Sequence, residues 1–152
     1  MKNYILKKLT IPCVILMLVI CMIFSGCASR RSVSAEEFAS ACEAAGFTLE
    51  DSTTYYDPTL VSEAMLYVSE DYSIGYYTFV KSADAKSYYA QFFSSLYAGT
   101  SDEKYIDSAE YNRYYASSAN AMALLYRNGS TLIHVIGPDG AKLSPIIEDL
   151  GI

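Results

Sequence analysis

The chain consists of two segments: the first 27 residues, which cannot join a water-soluble fold, and the remaining residues, which can. Three lysines lie within residues 1–8, and an uncharged stretch of fourteen residues follows at 11–24. That stretch has the length of the apolar part of a signal peptide and is shorter than the ~20 residues that cross a bilayer. Residues 25–27 are then Ser-Gly-Cys. We therefore expect the fold to be built only from the residues that follow.

The four residues 24–27, Phe-Ser-Gly-Cys, resemble the lipobox of bacterial lipoproteins, although the family usually has leucine or another aliphatic residue where Phe24 stands. The resemblance implies that the Cys27 sulfur takes a diacylglycerol and that cleavage before Cys27 removes a signal peptide, 1–26. Whether the new amino group is also acylated is left open. An alternative is an uncleaved N-terminal anchor helix, with Cys27 a bystander. Both alternatives place the rest of the chain on the outer side of the cell membrane.

The net charge bears on which partners the chain can bind, and the number of cysteines bears on whether it can form a disulfide bond. The predicted signal peptide, 1–26, holds three of the 11 basic residues and none of the 17 acidic ones, so the chain that remains after cleavage would carry a net charge of about −9. Nucleic-acid phosphates would repel such a chain, and we expect no nucleic-acid partner. Two of the four cysteines lie in the leader and Cys27 would be alkylated, which leaves Cys42 alone. Cys42 follows Phe38 at helical spacing, so we expect a buried, inert thiol and no disulfide.

Three stretches of the remaining chain have apolar residues at helical spacing. The first begins with a capping box at residues 34–37, the second spans 82–97, and the third has apolar positions between 143 and 150. The openings Ser-Ala-Glu at 34–36 and Ser-Ala-Asp at 82–84 are similar. They suggest a duplicated α-β-β-β unit followed by a final helix.

The other periodic stretches are typical of β-strands. They are residues 47–56, 64–68, 72–80, 111–116 and a hairpin at 120–136. The hairpin is predicted to turn at Asn128-Gly129, the pair preferred in type I′ turns, with Leu124 opposite Ile133. Residues 100–110 lack periodicity and are predicted to be a loop. The sequence therefore predicts an α+β fold, a single domain at 34–152 after a short tether at 27–33. Its antiparallel sheet would have about five to six strands, with three helices mainly on one face.

No catalytic, cofactor-binding or metal site is predicted. His134 is the only histidine, so the sequence has no HExxH motif, no histidine pair and no histidine beside a free reactive cysteine, and it has no glycine-rich phosphate loop. If helices cover the hairpin face of Leu124, the opposite face would be open and partly apolar. We predict a binding face there, and its residues would be Ala123, Leu125, Leu132 and His134. The alternative is that His134 is an ordinary residue of a strand and has no role in binding.

The combined prediction is an extracytoplasmic lipoprotein, held in the cell membrane by lipid on Cys27, that is not an enzyme. It would bind a protein, a peptide or a cell-envelope component and would need no cofactor. The order of elements and the tyrosine-rich strands, with 15 tyrosines and no tryptophan, resemble small lipoproteins of Gram-positive bacteria. That resemblance implies no activity. The alternative function is an envelope hydrolase or another small extracytoplasmic enzyme, which the missing nucleophile–base pair disfavours.

Overall fold

The computed structural model describes residues 31–96 and 104–152. The predicted signal peptide, the lipobox and Cys27 lie outside the described residues. The compact unit begins at Arg31, three residues before the predicted start at Ser34. Val33 is buried, and the Tyr126 hydroxyl donates a 2.6 Å hydrogen bond to the Arg31 carbonyl. These contacts fix the N-terminal end of the domain against the sheet.

The described residues form an α+β fold, as predicted. The helices are α1 (Ala35–Ala44), α2 (Ser82–Leu96) and α3 (Gly140–Leu150), and one turn of 3₁₀-helix covers Thr53–Tyr55. The strands are β1 (Glu50–Asp51), β2 (Val61–Val68), β3 (Ser73–Phe79), β4 (Lys104–Asp107), β5 (Tyr111–Ser118), β6 (Ala121–Asn128) and β7 (Thr131–Gly137). They form one sheet in the order β1-β2-β3-β7-β6-β5-β4, in which every neighbouring pair is antiparallel.

The described residues form seven strands, one or two more than the predicted five to six, and the strand with no counterpart in the prediction is β4. Of the predicted strand 47–56, only the two residues of β1 pair with β2. At the other edge, β4 lies inside the predicted loop and its four residues are all exposed. A strand with no buried face has no apolar alternation, so periodicity could not reveal β4.

The capping box predicted for α1 is confirmed. The Glu37 amide donates to Ser34 Oγ at 3.2 Å, and the Ser34 amide donates to Glu37 Oε2 at 3.0 Å. These bonds satisfy amides that the first turn of a helix leaves without backbone partners. Phe38 and Cys42 are then buried, which places the thiol in the core as expected.

Helices cover both faces of the sheet. α1 and α3 lie on one face, where Leu124, Ile133 and Val135 are fully buried. α2 lies on the other face, above β3, β7 and β6, where Leu125 and Leu132 are fully buried. Two of the three helices thus share a face, and the third covers the face predicted to be open. α1 is followed by three strands and α2 by four, so the second half is not a simple copy of the first.

The β6–β7 hairpin forms with a register two residues away from the predicted one. Leu124 pairs with Val135, and the last pair before the turn is Asn128 with Thr131. A type I′ turn at Asn128-Gly129 needs positive φ at both residues, and Asn128 does not adopt it. Gly129, with φ of 57°, and Ser130 form the turn instead. Because side chains alternate with period two, this shift leaves every residue on its predicted face.

Candidate functional site

The predicted binding face is covered by α2. Leu125 and Leu132 are fully buried and His134 is 2% exposed, whereas Ala123 is half-buried. The expectation that this face is open is therefore wrong for Leu125, Leu132 and His134. The apolar side of α2 needs a surface to pack against, and α1 and α3 already occupy the opposite face.

His134 lies between aromatic rings beneath α2. Its ring stacks on Phe92 with centroids 5.0 Å apart and on Tyr77 with centroids 5.8 Å apart. Nε2 lies 2.9 Å from Ser73 Oγ, whereas Nδ1 is buried without a hydrogen-bond partner. This arrangement favours the tautomer with its proton on Nε2, which donates to Ser73 and leaves Nδ1 as a bare acceptor. Burial lowers the pKa of His134 to about 4, so the ring is neutral at pH 7.

A serine next to a histidine is the arrangement of a nucleophile and its general base. Here the His134 pKa of about 4 makes the ring a weak base near neutral pH. Nδ1 has no carboxylate to orient it or to stabilise a positive charge. The ring also packs tightly against Gly75, where an added Cβ would lie 2.4 Å from His134 Cε1. The contact between Ser73 and His134 is therefore best explained as core packing.

A second buried polar cluster surrounds Arg127, which is fully buried. Its Nε donates to Asn112 Oδ1 at 2.6 Å, its Nη1 to the Gly129 carbonyl at 2.9 Å and its Nη2 to the Ala109 carbonyl at 2.7 Å. Asn112 Nδ2 in turn donates to an Asp107 carboxylate oxygen. All three guanidinium nitrogens are therefore engaged inside the protein. The cluster fixes the β4–β5 turn against the β6–β7 turn rather than offering a ligand site.

A groove of about 460 Å³ lies beside Leu96, the last residue of α2 that the structure describes, over a part of the sheet that no described helix covers. Its floor includes Ala116, Ala123 and Ile136, which are direct neighbours across β5, β6 and β7. Leu96 and Tyr114 also line it. We call this the alanine groove. Of the four residues in the predicted binding face, only Ala123 lines it.

Two turns form the rim of the alanine groove. The β2–β3 turn contributes Glu70 and Asp71, and the β5–β6 turn contributes Ser118 and Asn120. Both carboxylates are exposed, and no lysine or arginine of the described chain lines the groove. The site thus has an apolar floor and a negatively charged rim. The sequence predicts neither the groove nor a role for Glu70 and Asp71, since no local pattern reports which part of a sheet a helix covers.

Neither a metal centre nor a reactive thiol is found in the described ranges. Residues 31–96 and 104–152 hold no group of three or more histidine, cysteine or acidic side chains that could bind a metal ion. Burial raises the pKa of the Cys42 thiol to about 12, which keeps it protonated and unreactive. No helix in the same ranges has the length and apolar character needed to cross a membrane.

The chain matches no protein-family model and no curated protein. Among solved structures, a GTP binding regulator from Thermotoga maritima is similar over 78% of this chain and 84% of that chain. The two sequences are 13% identical and the TM-score is 0.44. A likeness this weak supports no functional argument.

Proposed function

We propose that this protein is an extracytoplasmic lipoprotein, anchored through lipid on Cys27, whose domain binds a partner without catalysis. The observation that carries the proposal is the order of basic residues, an apolar stretch of signal-peptide length and Ser-Gly-Cys in the first 27 residues. Two acyl chains hold a protein firmly in a bilayer, whereas one chain binds only marginally. An anchor of this kind supplies membrane attachment without a spanning helix in the domain.

The start of the domain fits a short anchor. Arg31 is held at the sheet, because its carbonyl accepts from the Tyr126 hydroxyl at 2.6 Å and from Asn128 Nδ2 at 3.2 Å. Cys27 lies four residues earlier, and four extended residues span at most about 14 Å. A lipid on Cys27 would therefore keep the β6–β7 turn close to the membrane surface.

The test is replacement of Cys27 by serine in cells grown with a labelled fatty acid. We expect the variant to lose the lipid label and to accumulate as unprocessed precursor, because lipid attachment precedes cleavage in the family it resembles. A Cys42→Ser variant is the matched control and should keep its label, since Cys42 is buried in the domain. Equal labelling of Cys27→Ser and wild type would refute the proposal.

A second candidate function, that of a small envelope hydrolase, is favoured by the 2.9 Å contact between Ser73 and His134. A fluorophosphonate probe that reacts with activated serines tests it. We expect no labelling, because the neutral, enclosed His134 ring cannot readily accept a proton. Labelling that disappears in both Ser73→Ala and His134→Gln would establish the hydrolase and overturn the binding role.

A further inference from the structure

We propose that the alanine groove binds a basic peptide segment of a partner protein, with an apolar side chain on the floor and a lysine or arginine at the rim. The inference rests on the proposed binding function and names the chemistry of its ligand.

The groove lies next to the part of the sheet that the described residues of α2 cover. The row Tyr114, Leu125 and His134 lies under the helix and is buried, whereas the next row, Ala116, Ala123 and Ile136, is only half-buried. Alanine at two of these three positions keeps the floor low. The resulting volume of about 460 Å³ lies within the ~300–1,000 Å³ usual for ligand pockets. An apolar side chain that fills this space would remove the floor from water.

The two carboxylates at the rim favour a ligand that carries a positive charge. Glu70 and Asp71 are exposed, and the ion pair found in the described residues joins Arg31 to Glu37 instead. No described basic side chain lines the groove to compensate for the two carboxylates. Opposite charges across an interface raise the association rate and reject ligands of the wrong sign. A lysine or arginine next to the apolar side chain would meet these carboxylates.

The position of the groove favours a protein partner over a lipid. β6 runs from Ala121, which lines the groove, to Asn128, which contacts Arg31. Eight residues of strand place the two ends roughly 24 Å apart. With the Arg31 end held near the membrane, the groove would lie at the end of β6 that is farther from the lipid. Its negative rim would also repel anionic headgroups.

The experiment measures peptide binding by fluorescence anisotropy, with the full-length lipidated chain in maltoside micelles and empty micelles as the blank. The probe is the pentapeptide Lys-Leu-Lys-Leu-Lys, with fluorescein on its N-terminal amine and an amide at its C-terminus. We expect saturable binding to the wild type, at least tenfold weaker for Lys-Ser-Lys-Ser-Lys and undetectable for Glu-Leu-Glu-Leu-Glu. The Ala123→Phe variant fills the floor and should weaken binding at least tenfold.

Matched variants separate the groove from general electrostatic attraction. Glu70→Gln/Asp71→Asn should weaken binding at least tenfold. Glu36→Gln/Glu43→Gln removes the same charge from exposed positions on α1 and should change binding less than twofold. If Ala123→Phe does not fold, Ala116→Leu and the rim variant still decide the question. Absence of saturable binding, or equal losses in the two double variants, would overturn the proposal.

The mass of the purified chain reports lipid attachment separately. Lipidated protein that binds no peptide refutes the groove alone. Unlipidated protein that binds the peptide refutes the anchor alone.

Discussion

Replacing His134 with glutamine removes a titratable imidazole that is buried between α2 and the sheet. The unfolded chain binds a proton at this histidine near pH 6.5, whereas burial in the folded protein lowers the pKa to about 4. Between these values the unfolded state binds more protons, so the free energy of unfolding falls as the pH falls. The stability is fully present above pH 6.5 and is lost progressively toward pH 4. From pH 7 to pH 4.5 the loss should be on the order of 2–3 kcal/mol.

The assay is urea unfolding of the chain from Arg31 onward, at pH 7 and pH 4.5, for wild type and His134→Gln. The chain has one histidine, so no other imidazole contributes. Hydrogen bonds lower the pKa values of Glu37, Asp51 and Asp57, so the stabilisation by these carboxylates starts to be lost only near their ordinary pKa values of 4.5 and 3.8, at the acidic end of this interval, and it is lost equally in both proteins. We expect the wild type to lose stability over this interval and the variant to change much less. Equal losses in both proteins would refute the buried, neutral histidine.

Two further outcomes follow from the covered faces of the sheet. Leu124→Ala and Leu125→Ala, on opposite faces of β6, should each lower the free energy of unfolding by about 2–5 kcal/mol, since both leucines are fully buried. The measurement is chemical denaturation. A loss below about 1 kcal/mol for Leu125→Ala would mean that α2 does not cover the face on which Leu125 lies. Cys42 should resist a thiol reagent in the chain from Arg31 onward until urea unfolds it, because burial raises its pKa to about 12; rapid labelling under native conditions would contradict its place in the core.

The elements with strong local signals could be predicted from the sequence. The capping box at Ser34 and Glu37 fixed the start of α1, and the faces of β6 and β7 followed from alternation. The register of the hairpin differs from the predicted one by two residues, because Asn128 pairs across the hairpin and donates to the Arg31 carbonyl instead of forming the turn. That contact joins residues 97 positions apart, so no local pattern contains it.

The candidate site could not be predicted either, because it also depends on contacts between residues that are far apart in the chain. An amphipathic helix such as α2 must cover an apolar surface, but its sequence does not say which face of the sheet it covers or where on that face it ends. Because α2 packs on this face, His134, Leu125 and Leu132 are buried, whereas Ala123 lies beyond the described part of α2 and lines the groove. Both outcomes depend on packing between segments that are distant in the chain.

The most direct test of the account is the orientation of the anchored domain on a membrane. Single fluorophores on Ala109→Cys and Ser118→Cys label exposed turns at opposite ends of the sheet, while Cys42 is buried and unreactive. The lipidated proteins are bound to phosphatidylcholine vesicles that contain a nitroxide quencher on the headgroups. A lipid anchor on Cys27 predicts strong quenching at residue 109, close to the Arg31 end, and little at residue 118, beside the alanine groove. Equal quenching at both positions, or stronger quenching at residue 118, would contradict it.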